Sequence, residues 1–109
     1  MQINVLAEKL GWKLLTECDG SDREALGCYC GDLLSWVMGR ARADDAWITI
    51  MSNINVVAVA ALADTSCVIF AEGVVPDASV IETAGQKGIN LCVSDGSAYD
   101  VAVWLREHL

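Results

Sequence analysis

Two cysteines, Cys28 and Cys30, have the spacing that most directly suggests chemistry. Residues two apart on a strand point to the same face, so this pair presents two thiols side by side. A soft metal or an iron–sulfur cluster needs about four ligands, and the one histidine, His108, stands at the end of the sequence. Because the remaining ligands are not evident, we predict no metal and favour packing of both thiols beneath a helix.

The other three cysteines predict no further chemistry. Cys18, Cys67 and Cys92 bring the total to five, an odd number without a Cys-x-x-Cys pair, so a disulfide framework is not expected. Cys67 opens one apolar run and Cys92 lies inside another, which favours small core residues for both.

Polar and glycine residues follow the predicted strands and form a candidate ligand site. They are Gly31, Asp32, Ser52, Asn53, Glu72, Gly73, Ser94, Asp95, Gly96 and Ser97. Ligands of open α/β sheets bind beyond the carboxyl ends of the strands, where these residues would meet. Free N–H groups at the helix starts suit an anion, whereas the three carboxylates would repel phosphate unless a cation intervened. The alternative is that these residues serve only as caps and turns.

The sequence carries no catalytic set, so we predict that the protein is not an enzyme. General acid–base catalysis needs a group with a tuned pKa, and His108 falls in a predicted terminal helix, where solvation is expected. The phosphate-binding pattern Gly-x-x-x-x-Gly-Lys-Ser/Thr is absent. No cofactor is predicted.

The element that positions the paired cysteines is a strand, sharp turn and helix. Residues 27–30 alternate as in a pleated strand, and the apolar residues after Asp32 recur at helical spacing. Gly31 provides the turn. Asp32 is the expected N-cap, since its carboxylate would accept from free N–H groups of the first helical turn.

The remaining elements alternate in a regular order. The pattern predicts a helix over Ile3–Leu10, a short strand over 12–15, a turn over 18–22 and a strand from Arg23 to Cys30. Strands follow at 46–51, 66–71 and 89–93, with helices at 54–62, after Pro76-Asp77 up to Gly88, and after Ser97. Strands apolar on both faces that alternate with helices indicate a largely parallel sheet with helices on both sides.

Composition and charge limit the possible partners. The chain has 109 residues, 54% of them hydrophobic, and one proline, which predicts one folded domain. Its net charge is −8 with scattered basic residues, so nucleic acid and anionic membrane surfaces are disfavoured. No apolar run approaches the ~20 residues of a membrane span, and the first residues lack a secretory signal. These features predict a cytoplasmic protein.

The predicted helix at 54–62 is apolar nearly all round. A helix packed on one sheet buries a single stripe, so its remaining apolar positions need a second surface. Two-fold pairing is the commonest arrangement of soluble oligomers. We therefore expect a homodimer.

Several segments together resemble the DRTGG domain family over essentially the whole chain. They read GCYCGDLLSWVM from Gly27, DAWITI from Asp45, NINVVAVA from Asn53, EGVVPD from Glu72 and SAYDVA from Ser97. The motif that names the family is partly present: Asp22 and Arg23 match its first two residues, and the following residues depart from Thr-Gly-Gly.

The resemblance implies a three-layer α/β/α sandwich with a mostly parallel sheet, similar to the N-terminal domain of HPr kinase/phosphorylase. It also implies a regulatory or assembly role. Family members occur beside CBS domains and in phosphotransacetylases, and small stand-alone forms accompany iron-only hydrogenases in anaerobic bacteria. A non-catalytic regulatory module that contacts a hydrogenase or another metabolic enzyme is therefore expected. The alternative is a sensor of a nucleotide-like small molecule bound at the strand ends.

Overall fold

The computed structural model describes residues 1–16 and 23–109. The elements of that part are α1 (Ile3–Leu10), β1 (Lys13–Leu14), β2 (Gly27–Cys30), α2 (Leu34–Arg40), β3 (Asp45–Thr49), α3 (Asn55–Ala63), β4 (Cys67–Phe70), α4 (Ala78–Gln86), β5 (Leu91–Val93) and α5 (Ala98–His108). The predicted turn at 18–22 and the Asp22 of the family motif lie outside the described residues.

The strands form one sheet in the order β1-β5-β4-β3-β2. Strands β2 to β5 run parallel, and β1 pairs antiparallel with β5 at one edge. Every residue of β3, β4 and β5 is buried, whereas β1 and β2 are partly exposed. The two-faced apolar runs of the sequence thus occupy the sheet centre, as predicted.

Two hydrophobic cores lie on opposite faces of the sheet, which confirms the three-layer α/β/α arrangement. Helices α1 and α5 cover one face and bury Ile3, Leu6 and Leu105. Helices α2, α3 and α4 cover the other face, where Trp47 and Phe70 are fully buried. Side chains of successive strand residues point to opposite faces, so each central strand contributes to both cores.

Most boundaries shift by one or two residues, and two differences from the sequence prediction bear on the site. Strand β2 begins at Gly27 instead of Arg23, and Glu24 only forms an isolated bridge with Gln2. Helix α2 begins at Leu34 with Leu33 in the N-cap position. The prediction that Asp32 caps this helix is therefore wrong.

Arg23 joins two loops at the amino ends of β3 and β4. Its Nε and Nη2 donate to Asp44 Oδ1 over 3.0 and 2.8 Å, and Nη2 also donates to the carbonyl of Asp64 over 2.7 Å. The Asp64 carboxylate lies 2.9 Å from the same nitrogen. Asp44 and Asp64 both have positive φ, 68° and 57°, a conformation that short polar residues tolerate. The arginine of the partial motif thus has a structural role.

The longest helix in the described part, α5, has 11 residues. None of the helices described there has the length and apolarity required to cross a membrane.

Candidate functional site

The carboxyl ends of the parallel strands enclose a pocket of about 360 Å³. Its lining consists of Cys30, Gly31, Asp32, Ile48, Thr49, Ile50, Glu72 and Ala98. Three of these, Gly31, Asp32 and Glu72, belong to the site predicted from the sequence. The pocket therefore lies at the predicted edge of the sheet, although it includes only part of the predicted set.

Asp32 connects the ends of β2 and β3. Its Oδ1 accepts from the Thr49 hydroxyl over 2.7 Å and from the Ile50 backbone N–H over 3.0 Å. The carboxylate therefore bonds to the neighbouring strand instead of its own helix. The side chain is exposed, and the hydrogen bonds described for it all use Oδ1, which leaves Oδ2 as a further acceptor.

Glu72 and Gly73 form a strained turn after β4. Their φ values are 60° and 69°, in the left-handed region, which a residue with a side chain rarely adopts. Backbone bonds hold this turn, because the Glu72 N–H donates to the Gly96 carbonyl and the Gly73 N–H to the Ser94 carbonyl, each over 2.8 Å. Strained residues persist where the surroundings hold them, and they occur often at binding sites.

The loop after β5 supports this turn without lining the pocket. The Ser94 hydroxyl accepts from the Gly96 N–H over 3.2 Å, and the Ser97 hydroxyl accepts from Asp100 N–H over 3.1 Å as the N-cap of α5. Asp95 is exposed, and its Oδ1 would lie 3.1 Å from a Cβ added at Gly73. Gly73, Ser94, Asp95, Gly96 and Ser97 thus belong to the turn at Glu72 or to the loop beside it and do not line the pocket.

Ser52 and Asn53 do not line the pocket. Asn53 Oδ1 accepts from the Asn55 N–H over 2.9 Å, which is a local turn bond, since Ile54 holds the N-cap position of α3. Ser52 is half-buried in the same loop. The bond of Asn53 is of the turn kind weighed as the alternative for these residues.

The sequence prediction missed five lining residues: Cys30, Ile48, Thr49, Ile50 and Ala98. Thr49 carried a signal, since it is the one polar residue within the predicted strand 46–51. The others were assigned to strand interiors or a helix start. The register of β2 beside β3 places Cys30 next to Ile48, and Ala98 joins the lining from the start of α5.

Asp32 and Glu72 make this pocket acidic. Both side chains are exposed, and carboxylates accept hydrogen bonds but donate none when ionised. Groups that donate, such as amines and hydroxyls, suit this lining better than a bare phosphate does.

A second groove, of about 820 Å³, lies between β2 and α5. It is lined by Leu26, Gly27, Cys28, Tyr99, Ala102, Val103, Arg106, Glu107 and Leu109. Leu26 and Tyr99 are 66% and 77% exposed.

Cys28 and Cys30 are exposed on β2, with their sulfurs 3.9 Å apart. Packing beneath a helix, as favoured from the sequence, is therefore wrong, because β2 is an edge strand. Their common face was predicted correctly. In residues 1–16 and 23–109 no three His, Cys, Asp or Glu side chains cluster as a metal site.

The two thiols differ in acidity. The hydrogen bond from Cys28 lowers the pKa of Cys30 to about 7, although burial and the Asp32 carboxylate act in the opposite direction. The same bond, together with burial, raises the pKa of Cys28. Cys67 and Cys92 are fully buried, as predicted, and the hydrogen bond with Cys92 and burial raise the pKa of Cys67.

His108 is part-buried on α5, and its Nδ1 lies 2.7 Å from the Trp104 carbonyl. A carbonyl only accepts, so Nδ1 carries the proton in this bond. The histidine lines neither the strand-end pocket nor the groove.

Comparison with solved structures identifies a similar fold. The chain is similar to the crystal structure of the CBS and DRTGG domains of the regulatory region of Clostridium perfringens pyrophosphatase, complexed with its activator diadenosine tetraphosphate. The TM-score is 0.78 with 11% sequence identity, and the match covers 95% of this chain and 45% of the other. No protein-family model matches the sequence, and no curated protein matches it. The likeness confirms the DRTGG-like fold.

Proposed function

We propose that this chain is a one-domain, non-catalytic regulatory module that binds a nucleoside-type ligand in the strand-end pocket. The observation that carries the proposal is the position of two carboxylates, Asp32 and Glu72, at the carboxyl ends of parallel strands. The regulatory region that shares the fold was solved with a nucleotide activator, which supports the same class of ligand here.

The chemistry of the pocket favours the sugar and base over the phosphates. In dinucleotide-binding α/β folds, an acidic side chain accepts hydrogen bonds from ribose hydroxyls. Asp32 offers Oδ2 for this role, since Thr49 and Ile50 engage Oδ1. The volume of about 360 Å³ falls at the lower end of small-ligand pockets. Phosphates of a bound nucleotide would extend outward or be accompanied by a cation.

A thermal-shift titration tests this function with adenosine, ATP and diadenosine tetraphosphate as probes. A ligand that binds the folded state stabilises it by about 2.7 kcal/mol at a hundredfold excess over Kd. We expect at least one probe to raise Tm, and Asp32→Asn to weaken its binding about tenfold or more, because one hydrogen bond to a charged group is worth ~1.5–3 kcal/mol.

The variants make this test specific. The amide introduced by Asp32→Asn keeps an oxygen that accepts from Thr49 and Ile50, so the fold should persist. Glu82→Gln is the matched control, since Glu82 is an exposed carboxylate on α4. Absence of any shift with all three probes, or equal binding by both variants, would refute the proposal.

A second surface supports a role in self-association. Three exposed residues are spaced by four positions: Ile54 at the N-cap of α3, and Ala58 and Leu62 within the helix. Ile54 is 48% and Leu62 is 71% exposed. The inner side of the same helix packs Val56 and Ala60 into the core. We propose that the outer stripe pairs with the same stripe of a second copy.

Light scattering over a dilution series tests the homodimer. The wild-type protein should have twice the chain mass of 11.7 kDa, and Leu62→Glu should yield the monomer because it places two like charges in the interface. Glu82→Gln serves again as the control. A wild-type particle of monomer mass at high concentration would exclude this interface.

The partner enzyme is a further element of the proposal. An association with a hydrogenase or another metabolic enzyme is supported by the family resemblance alone. Co-purification of that enzyme with the tagged chain is the corresponding test.

A further inference from the structure

The edge strand β2 carries two thiols that contribute to neither hydrophobic core of the described residues. Cys28 and Cys30 are exposed, whereas Cys67 and Cys92 are fully buried. Exposed cysteines without a packing role are open to reaction, because a sulfur must reach solvent to meet a co-reactant. The pair lies between the groove beside α5, which Cys28 lines, and the strand-end pocket, which Cys30 lines.

The geometry of the strand permits a bond between the two sulfurs. They lie 3.9 Å apart and would need to approach to ~2.0 Å. The strand rise places Cα atoms two residues apart at about 6.6 Å, just inside the limit of ~6.8 Å that a disulfide spans. Among the described residues, β2 pairs with β3 alone, and Gly27 and Gly31 flank the Cys28–Cys30 segment, so small backbone adjustments are available to it.

The environments of the two sulfurs assign them different roles. The pKa of Cys30 is lowered to about 7 by the hydrogen bond with Cys28, so a large fraction of Cys30 is thiolate at neutral pH, whereas Cys28 stays a thiol. The carboxylates of Asp32 and Glu72 line the pocket beside Cys30. The charge of Asp45 contributes to raising the pKa of Cys28. Arg106 and Glu107 line the groove together with Cys28.

We infer that Cys28 and Cys30 form a thiol–disulfide exchange site whose substrates are low-molecular-weight disulfides. The Cys30 thiolate attacks one sulfur of the disulfide, the S–S bond breaks, and one thiolate leaves. Cys28 then loses its proton to that departing thiolate and attacks Cys30 Sγ, which releases the second thiolate. The products are a Cys28–Cys30 disulfide and a fully reduced co-substrate, so two electrons pass from the protein to the small disulfide.

The modification is reversible. Exposed disulfides near the geometric limit are readily reduced by thiols, and this one would stand on the surface of an edge strand. The site does not depend on the ligand proposed for the strand-end pocket, because the exchange needs only the two sulfurs and solvent access.

The test treats the reduced Cys18→Ser chain with oxidised glutathione and follows it by intact mass and peptide mapping. Cys18 is replaced because its surroundings lie outside the described residues. We expect the mass to fall by two hydrogens and one disulfide to form between Cys28 and Cys30. Dithiothreitol should reverse both changes. Cys67 and Cys92 should remain reduced and alkylate only after denaturation, which provides an internal control.

Single variants separate the two roles. Cys28→Ser should accumulate one glutathionyl group on Cys30, since no second thiol displaces it. Cys30→Ser should react much more slowly. The inference is overturned if protein with both thiols retains the mixed disulfide, or if it forms no Cys28–Cys30 bond under conditions that oxidise free dithiols. Both of these outcomes are measured on the protein that keeps Cys28 and Cys30, so they do not depend on whether the single variants fold.

The pH profile of alkylation gives an independent reading. For a pKa near 7, the thiolate fraction rises about 11-fold between pH 6 and pH 9, whereas an ordinary thiol of pKa ~8.5 rises about 240-fold. Iodoacetamide modification of Cys30 in Cys28→Ala should move toward the steeper profile, because an alanine side chain cannot donate the hydrogen bond that Cys28 provides. A wild-type profile as steep as that of an ordinary thiol would contradict the assigned roles.

Discussion

Replacing Arg23 by methionine should destabilise the fold without touching the strand-end pocket. The guanidinium makes two hydrogen bonds to Asp44 Oδ1 and one to the Asp64 carbonyl, and it pairs with the Asp64 carboxylate. Burial lowers the pKa of Arg23, but the bonds and charges of Asp44 and Asp64 more than offset this, so the pKa is raised. Methionine keeps most of the aliphatic stem and removes every one of these bonds.

The expected loss is about 2 kcal/mol. The side chains of Arg23 and Asp44 are 29% and 37% exposed. Their ion pair should therefore contribute ~1 kcal/mol, a value between that of a fully exposed ion pair and that of a buried hydrogen bond to a charged group. The bond to the Asp64 carbonyl adds about 1 kcal/mol. The Asp64 carboxylate is 66% exposed and adds at most a few tenths. A loss of this size lowers Tm by roughly 10 °C in a domain of this length.

Urea denaturation measures this loss, with Arg42→Met as the control. Arg42 is an exposed arginine near the same end of the sheet, and its replacement should change the free energy of unfolding by under ~0.5 kcal/mol. Arg23→Lys should lose more than half of the stabilisation, because one ammonium cannot reproduce the planar fork. Equal stability of Arg23→Met and Arg42→Met would refute the structural role.

Two further predictions concern residues with a positive φ and glycines that differ in the space available for a Cβ. Asp64→Gly should be nearly neutral, because it keeps the carbonyl that Arg23 uses and relaxes a φ of 57°. Asp44→Gly relaxes a φ of 68° in the same way but loses two hydrogen bonds from Arg23, so it should be the more destabilising of the two in urea denaturation; the reverse order would contradict the assignment. Gly96→Ala should lower the free energy of unfolding by ~1–3 kcal/mol, since its Cβ would lie 2.8 Å from the Trp104 ring. Gly85→Ala, in α4, has no described atom within 4 Å of the new Cβ and should raise the free energy of unfolding, measured from Tm, by about 0.5–1 kcal/mol. A stabilising effect of Gly96→Ala would show that the ring moves freely.

The order of elements was predictable because the strongest signals in this sequence are local. Strands β3, β4 and β5 are apolar on both faces, and burial on both sides is what such runs require. Gly11 and Gly88 both have a φ of 71° and follow α1 and α4, which is the left-handed conformation expected after a helix. Parallel pairing then follows from the alternation with helices.

The role of Asp32 was not predictable in the same way. Its carboxylate had two possible sets of donors, the first turn of its own helix and the end of a neighbouring strand. The sequence displays only the first set, since Thr49 and Ile50 lie 17 and 18 positions away. Arg23 presents the same difficulty, because its partners Asp44 and Asp64 are 21 and 41 positions distant.

The exposure of Cys28 and Cys30 depended on the order of strands. Spacing established their common face, but a strand at the centre of the sheet would have buried them and a strand at its edge leaves them open. The order β1-β5-β4-β3-β2 places the second strand of the sequence at the outer edge. Local pattern carries no information on that position, so the packing prediction for these thiols was wrong.

Strand β2 is the point at which the proposed ligand and the proposed oxidation would meet. Cys30, Gly31 and Asp32 are consecutive, and all three line the strand-end pocket. A Cys28–Cys30 disulfide would form in the strand just before the carboxylate that is proposed to hold the ligand. If oxidation changes ligand affinity by some factor, the ligand must change the equilibrium between dithiol and disulfide by the same factor, since both describe one thermodynamic cycle. A strand bonded on one side only is the part of this sheet where such a coupling costs the fewest backbone hydrogen bonds.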